Sequence, residues 1–419
     1  MEFLLGIPLL FSFIFLWIKG KTPIRILIFL QGISIFTAFL VAKQSNYRTL
    51  TTVFNILFVN VNIFLILVPW ESFKFKNIFL KNENKFLFFK KILYKFLFVH
   101  ILLDTTILVL ILIFIPDISK FKADLAYREL YDKIPYFANA FRYAYTSQQL
   151  GFLAIPICFY HLQKSEIKKS ITALIYSCSS LLVGFAFYSR AQIFTFTLVF
   201  IVYFFLVKHT LPLTIQKKVY SGIKKVSFIV ISLFLLITVI RFSAMDYYGD
   251  RIPEQSIIKD PIIYSLVDYA SQGYSNGLNQ LENYSQKKNL MGEQFFRDIY
   301  QILNFFGIYD WSAENSQYKI DQAYGHDGGA FKGHTGILVF NFGYIMAFFI
   351  SLIYSIFVSV KLKNRLYMSI ETMYVLILLL IVPIVSIFYS GFGLLYFPLL
   401  FLLFTNFLFF IKLKPVKFK

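Results

Sequence analysis

The sequence predicts an all-α polytopic membrane protein, and three observations carry that expectation. Apolar residues make up 58% of the 419 positions and charged residues only 15%, against roughly 25% charged in an average soluble domain. Apolar runs recur along the chain, each close to the roughly 20 residues a helix needs to cross hydrocarbon. The 41 Lys and Arg residues, which give a net charge of +19, sit in short clusters between those runs, where basic residues report topology. Such clusters do not form the continuous basic face that nucleic acid requires, so no nucleic-acid partner is expected. One membrane-embedded unit is predicted, rather than the two or three soluble domains that the length alone would suggest.

Windowed hydropathy places about eleven spans, near residues 2–18, 24–42, 49–69, 92–115, 146–162, 170–188, 191–207, 226–242, 336–359, 368–389 and 394–411. Residues 1–17 carry Glu2, no basic n-region and no small-residue cleavage site, so they read as a first span and not as a removed signal peptide. With the N-terminus outside, the inner connections hold 25 of the 41 Lys and Arg residues, the excess expected of a cytoplasmic side. The C-terminus is then cytoplasmic and residues 243–335 lie outside. The layout is therefore 1–242 with eight spans, 243–335 as an extracytoplasmic loop subdomain, and 336–419 with three spans and a cytoplasmic tail.

Residues 70–95 mix seven lysines with Phe73, Phe75, Ile78, Phe79, Phe86, Leu87 and Phe89, the pattern of an interfacial helix on anionic headgroups. The outer connection 116–145 is Tyr-rich and of mixed charge, with a short helix expected around 122–133. In the large loop, Ile262, Leu266, Tyr269, Ala270, Tyr274, Leu278 and Leu281 share one helical face over 261–284. Phe295, Phe296, Ile299, Ile302, Leu303 and Phe306 do the same over 292–306. Two helices packed over the outer bundle face follow as the expectation, with a Gly-rich connector at 307–335. Cys158 and Cys178 lie in apolar runs, so neither a disulfide framework nor a metal site is expected.

The loop holds 12 of the 22 acidic residues and two of the five histidines, which makes it the place to look for polar chemistry. His326 and His334 are eight residues apart beside Gly325, Gly328, Gly329 and Gly333. A neutral imidazole is a competent base near pH 7, and Asp327 is the competing base. No cysteine lies nearby and the spacing is poor for zinc, so no metal is expected. Arg190, at the shortest outer turn, is partly desolvated and suited to an anionic oxygen such as a diphosphate beside a lipid tail; an interfacial anchor is the alternative. Arg241, Arg251 and Arg297 are further cations near the same surface. Trp311 and Tyr324 are candidate platforms for sugar faces. His100 and Asp104 lie one helical turn apart in the fourth span, as a packing pair or a proton path.

Ser189-Arg190 at a very short outer turn, one large late outer loop, and His334-Thr-Gly-Ile-Leu-Val-Phe-Asn-Phe-Gly343 leading into a span together resemble the Wzy-type oligosaccharide repeat-unit polymerases. The chain is similar, more distantly, to the O-antigen ligases of bacterial surface-polysaccharide assembly. Asn341 stands where the Asp-Phe-Gly of the family has its acid, so that acid's role does not carry over. The resemblance implies a metal-independent, inverting glycosyl transfer at the outer face of the bacterial cytoplasmic membrane, with no cofactor. It implies a polyprenyl-diphosphate-linked oligosaccharide donor, a lipid-linked repeat unit as acceptor, and a chain-length regulator as a further partner among membrane lipids. An O-antigen ligase and a polysaccharide flippase are the rival readings.

Overall fold

The computed structural model describes residues 17, 22–42, 50–71, 76–114, 144, 147–186, 190–243, 252, 256–282, 284, 289–293, 295–296, 299–300, 303–304, 306–310, 319, 322, 333–362 and 367–413. These are almost wholly helical. In chain order they form α1 (Thr22–Ala42), α2 (Leu50–Leu67), β1 (Asn77–Phe79), α3 (Glu83–Phe114), α4 (Ala154–Gln163), α5 (Ile167–Ser177), α6 (Ser179–Ala186), α7 (Arg190–Val207) and α8 (Leu213–Ser243). They continue through α9 (Pro261–Glu282), α10 (His334–Leu362), β2 (Tyr367–Ser369), α11 (Ile370–Val385) and α12 (Tyr396–Leu413). Among the described residues, Val53–Trp70, Glu83–Ile111, Gln192–Thr210, His334–Leu362 and Gly391–Ile411 are long and apolar enough to cross a membrane. Thr22–Ala38 and Ile370–Val385 are shorter apolar helices.

Two predicted spans are not single helices. Residues 146–162 begin with the 3-10 turn Gln148–Leu153 and reach α-helical geometry only at Ala154. Residues 170–188 divide into α5 and α6 around Cys178. The run Ser177-Cys178-Ser179-Ser180 supplies the reason, because serine hydroxyls compete for backbone groups and weaken a helix interior. The Ser177 hydroxyl donates to Leu174 O, and the Ser180 hydroxyl donates to Gln148 O on the 3-10 turn. Gly151 permits that approach, since a Cβ there would stand 2.7 Å from Ser179 Oγ and 2.8 Å from Ser177 O.

The interfacial helix expected over 70–95 is also corrected. Residues 77–79 form β1, which pairs in parallel with β2, Ile78 opposite Met368. Gln163 closes the edge, accepting from Ile78 N at 3.0 Å and donating to Ile78 O at 3.1 Å. Helix α3 then starts at Glu83, where the Asn82 side chain accepts from Lys85 N at 3.0 Å, an N-cap.

The chain folds as two compact units interleaved in sequence: residues 1–73, 245–363 and 381–393 in the first, and 74–244, 364–380 and 394–419 in the second. In the first, α9 runs against α1, and α10 against α2 and α9. Trp70 donates to the Tyr354 hydroxyl at 3.0 Å, and the Tyr344 hydroxyl lies 2.9 Å from Asn55 Oδ1 and 3.1 Å from Leu281 O. In the second, α3 packs against α6 and α12, and α4 against α5. Phe159, fully buried, meets Phe200, Tyr203 and Phe204.

Helix α9 starts at Pro261, the first residue of the expected 261–284 face, with the Asp260 carboxylate accepting from Ile263 N at 2.8 Å and Pro261 at the first helical position. Its buried face is rotated from the expected one. Tyr274, Leu278 and Leu281 are buried as predicted, and the small residues Ser271, Gly273 and Gly277 join them. Of the second expected loop helix, 292–306, residues 299–300 and 303–304 are helical; a turn occupies 291–293, and several of the remaining positions lie outside the described residues.

Candidate functional site

Helix α10 is two helices joined at a break. Gly343 has φ 78° and ψ 169°, a conformation open to glycine and strained for other residues. Leu290 N donates to Phe340 O at 2.8 Å across the break, and Asn341 donates to Ile337 O at 2.8 Å. Residues 334–341 are buried on every side, whereas 344–362 alternate between buried and exposed positions. The first piece is therefore a short helix enclosed by protein, the setting in which an interrupted backbone is tolerated inside a membrane protein.

Glycines bring that short helix close to its neighbours. Gly333 has φ +62°, and a Cβ there would meet the Gly273 carbonyl oxygen; a Cβ on Gly273 would in turn meet the Ile387 carbonyl. Gly333 N donates to Phe388 O at 3.1 Å. The amino end of α10, the middle of α9 and the turn after Val385 are thus locked backbone to backbone.

Where they meet, a small cavity opens, with room for roughly one water-sized group. Gln31 and Ser34 of α1 line it, opposite His334 and Thr335 of α10, with Tyr274 of α9 and Ser386 beside them. These polar groups divide into two sets. Gln31 donates to Ser386 Oγ at 2.6 Å, Ser386 to Pro383 O at 2.8 Å, and Tyr274 to Asn60 Oδ1 at 3.1 Å. Ser34 Oγ, Thr335 Oγ1 and both ring nitrogens of His334 are buried with no hydrogen-bond partner among the described residues. Gln280, which stands beside Gly336, likewise has no partner for either side-chain polar atom among the described residues. A buried polar group without a partner is destabilising by about 1–3 kcal/mol, and native structures carry few of them. Ser34, Thr335 and His334 bring such atoms together around this one cavity.

Of the residues singled out from sequence, His334 is described in full: it is 2% exposed and its ring lies tilted against that of Phe392, centroids 5.5 Å apart. Arg190 opens α7 and Arg241 lies near the end of α8, with their side chains outside the described residues. Arg251, Arg297, Trp311, Tyr324, His326 and Asp327 also lie outside the described residues. Sequence reasoning missed Gln31, Ser34, Tyr274, Gln280 and Ser386. The available signal was a polar residue within an apolar run, which Gln31 and Ser34 both show.

Beyond the cavity, Glu293 is 3% exposed and accepts from Lys319 at 2.8 Å and the Tyr309 hydroxyl at 3.2 Å. That bond holds the Lys319 ammonium above its ordinary pKa. Among the described residues, no three His, Cys, Asp or Glu side chains converge as a metal site. Compared with protein-family models, with curated proteins and with solved structures, the chain matches none.

Proposed function

We propose that this protein is a surface-polysaccharide polymerase of the Wzy type, a membrane-embedded inverting glycosyltransferase of the bacterial cytoplasmic membrane. The observation that carries the reading is His334, a buried imidazole with neither nitrogen paired among the described residues, lining a polar cavity at the head of a broken, apolar helix. The resemblance of the 334–343 segment and of Ser189-Arg190 to that family supports it. In this reading the chain has about eleven spans, its N-terminus outside, its C-terminus cytoplasmic, and residues 243–335 on the outer face.

The donor is a polyprenyl-diphosphate-linked glycan and the acceptor a lipid-linked repeat unit. His334 takes the proton from the acceptor's sugar hydroxyl as its oxygen attacks the anomeric carbon, with His326 or Asp327 as alternates. The new C–O bond forms on the face opposite the diphosphate, and the bond to the diphosphate oxygen breaks with its electron pair leaving on that oxygen. Arg190, with Arg241, Arg251 and Arg297, supplies the positive charge that the departing diphosphate needs. Trp311 and Tyr324 offer faces for sugar rings.

The test is purified full-length protein in nanodiscs with lipid-linked repeat units, read as a ladder of lengthened products. Arg190→Ala is expected to abolish the ladder. Polymerisation by Arg190→Ala at the wild-type rate removes the arginine's role, and no ladder from wild type removes the polymerase reading. Transfer to a lipid A core acceptor in place of a repeat unit assigns a ligase.

A further inference from the structure

Among the described residues, the lining of the cavity at the head of α10 contains no Lys, Arg, Asp or Glu. A diphosphate or carboxylate placed there would be buried without a counter-charge, which proteins avoid because desolvating a lone ion is far more unfavourable than desolvating a hydroxyl. A neutral hydroxyl group is different. It brings one donor and two acceptor lone pairs, and Ser34 Oγ, Thr335 Oγ1 and the His334 nitrogens together offer both kinds of partner, with no hydrogen bond to any other described residue. The space matches, since the cavity admits roughly one water-sized group.

We propose that this cavity is the seat of the attacking hydroxyl: an uncharged slot, one hydroxyl wide, in which Ser34 and Thr335 orient the acceptor oxygen against His334. This rests on the glycosyl-transfer reading and adds to it the residues that orient the acceptor oxygen. The short helix 334–342 contributes its amino end, where the first backbone N–H groups have no intrahelical partner and carry partial positive charge. That charge favours the alkoxide character the acceptor oxygen gains as its proton passes to His334. The Gly273, Gly333 and Ile387 backbone contacts keep the slot preformed, so Ser34 and Thr335 are positioning residues whose loss acts on acceptor binding.

The experiment uses full-length protein in nanodiscs, with a short-chain lipid-linked repeat unit as acceptor and a long-chain polyprenyl-diphosphate donor, each varied at a fixed level of the other. Thr335→Val and Ser34→Ala are expected to raise the acceptor KM about 10-fold, the loss of one hydrogen bond, with the donor KM unchanged and no fall in thermal midpoint. Thr335→Ser, which keeps the hydroxyl, is expected to restore the acceptor KM. An acceptor KM unmoved in an active Thr335→Val protein overturns the slot. So does a lowered thermal midpoint in Thr335→Val that Thr335→Ser restores, because the hydroxyl would then serve a structural water. Failure of wild type to join the two lipid-linked substrates overturns the glycosyl-transfer reading itself, and the slot with it.

Discussion

His100 and His334 are both sealed from solvent, and the fold treats them in opposite ways. His100, on α3 in one unit, has Nδ1 2.6 Å from Asp104 Oδ2 and Nε2 3.1 Å from Ala144 O, so both ring nitrogens face a partner. His334, at the head of α10 in the other unit, has no partner for either nitrogen among the described residues and lies against a cavity. A buried imidazole held at both ends fixes helix packing; one held at neither, beside a small cavity, is the arrangement on which the proposed base role of His334 rests. From sequence, His100 reads as a packing residue or part of a proton path and His334 as a candidate base; the structure separates them by what surrounds each ring.

The contrast can be broken from the His100 side, where the largest effect is expected. Asp104→Leu strips a buried pair of one partner and should destabilise the protein by about 3–5 kcal/mol, read as the thermal midpoint in detergent. The double variant His100→Leu with Asp104→Leu should recover much of that loss, because an apolar pair of similar volume leaves nothing unpaired. A single Asp104→Leu with an unchanged midpoint would show that the pair does not hold the helices.

Gly333→Ala tests the frame around His334. The new Cβ would meet a backbone carbonyl at a residue with φ +62°, so about 1–3 kcal/mol of destabilisation is expected, and an unmoved midpoint would contradict the close backbone packing. His334→Leu itself removes no hydrogen bond made by the described residues. Its midpoint is expected to stay level or rise, while glycosyl transfer falls by roughly 100-fold or more, the scale of general-base catalysis. A large fall in midpoint would place His334 with His100 as a packing residue.

The smallest effect is one of pH. Glu166 bonds Lys169 at 2.9 Å and His161 at 2.6 Å, and these contacts hold its carboxyl below the ordinary value. Its contribution to stability is therefore present above the ordinary glutamate pKa of about 4.3 and is lost as pH falls through the lowered value in the folded state. Thermal midpoints of wild type and Glu166→Gln, compared from pH 6 down to pH 3, should converge as the acid end is approached. Curves that stay parallel would remove the carboxylate's role.

Much of the helical framework was legible. The runs at 49–69, 92–115, 191–207, 336–359 and 394–411 each coincide with a helix able to cross a membrane, because twenty apolar residues in a row have few other ways to satisfy their backbone. The apolar face read over 261–284 coincides with α9, whose start is fixed by the local Asp260 cap and Pro261. The strand at 77–79 was not legible, since its stability comes from pairing with residues 367–369, nearly three hundred positions away. The break at Gly343 was signalled only by a glycine inside an apolar run, and a lone glycine in a helix does not by itself decide between tolerance and a kink.

By itself, the sequence determined the class: helices of membrane length, basic clusters between them, and a loop segment carrying His334 beside glycines. Hydrophobic run length and local caps are properties of consecutive residues, so they can be read along the chain. What surrounds His334 depends on residues far apart along the chain, Gln31 bonded to Ser386 and Gly333 packed on Gly273 and Phe388. Only the tertiary structure brought these together around one small cavity, and it left His334, Ser34 and Thr335 without hydrogen-bond partners among the described residues.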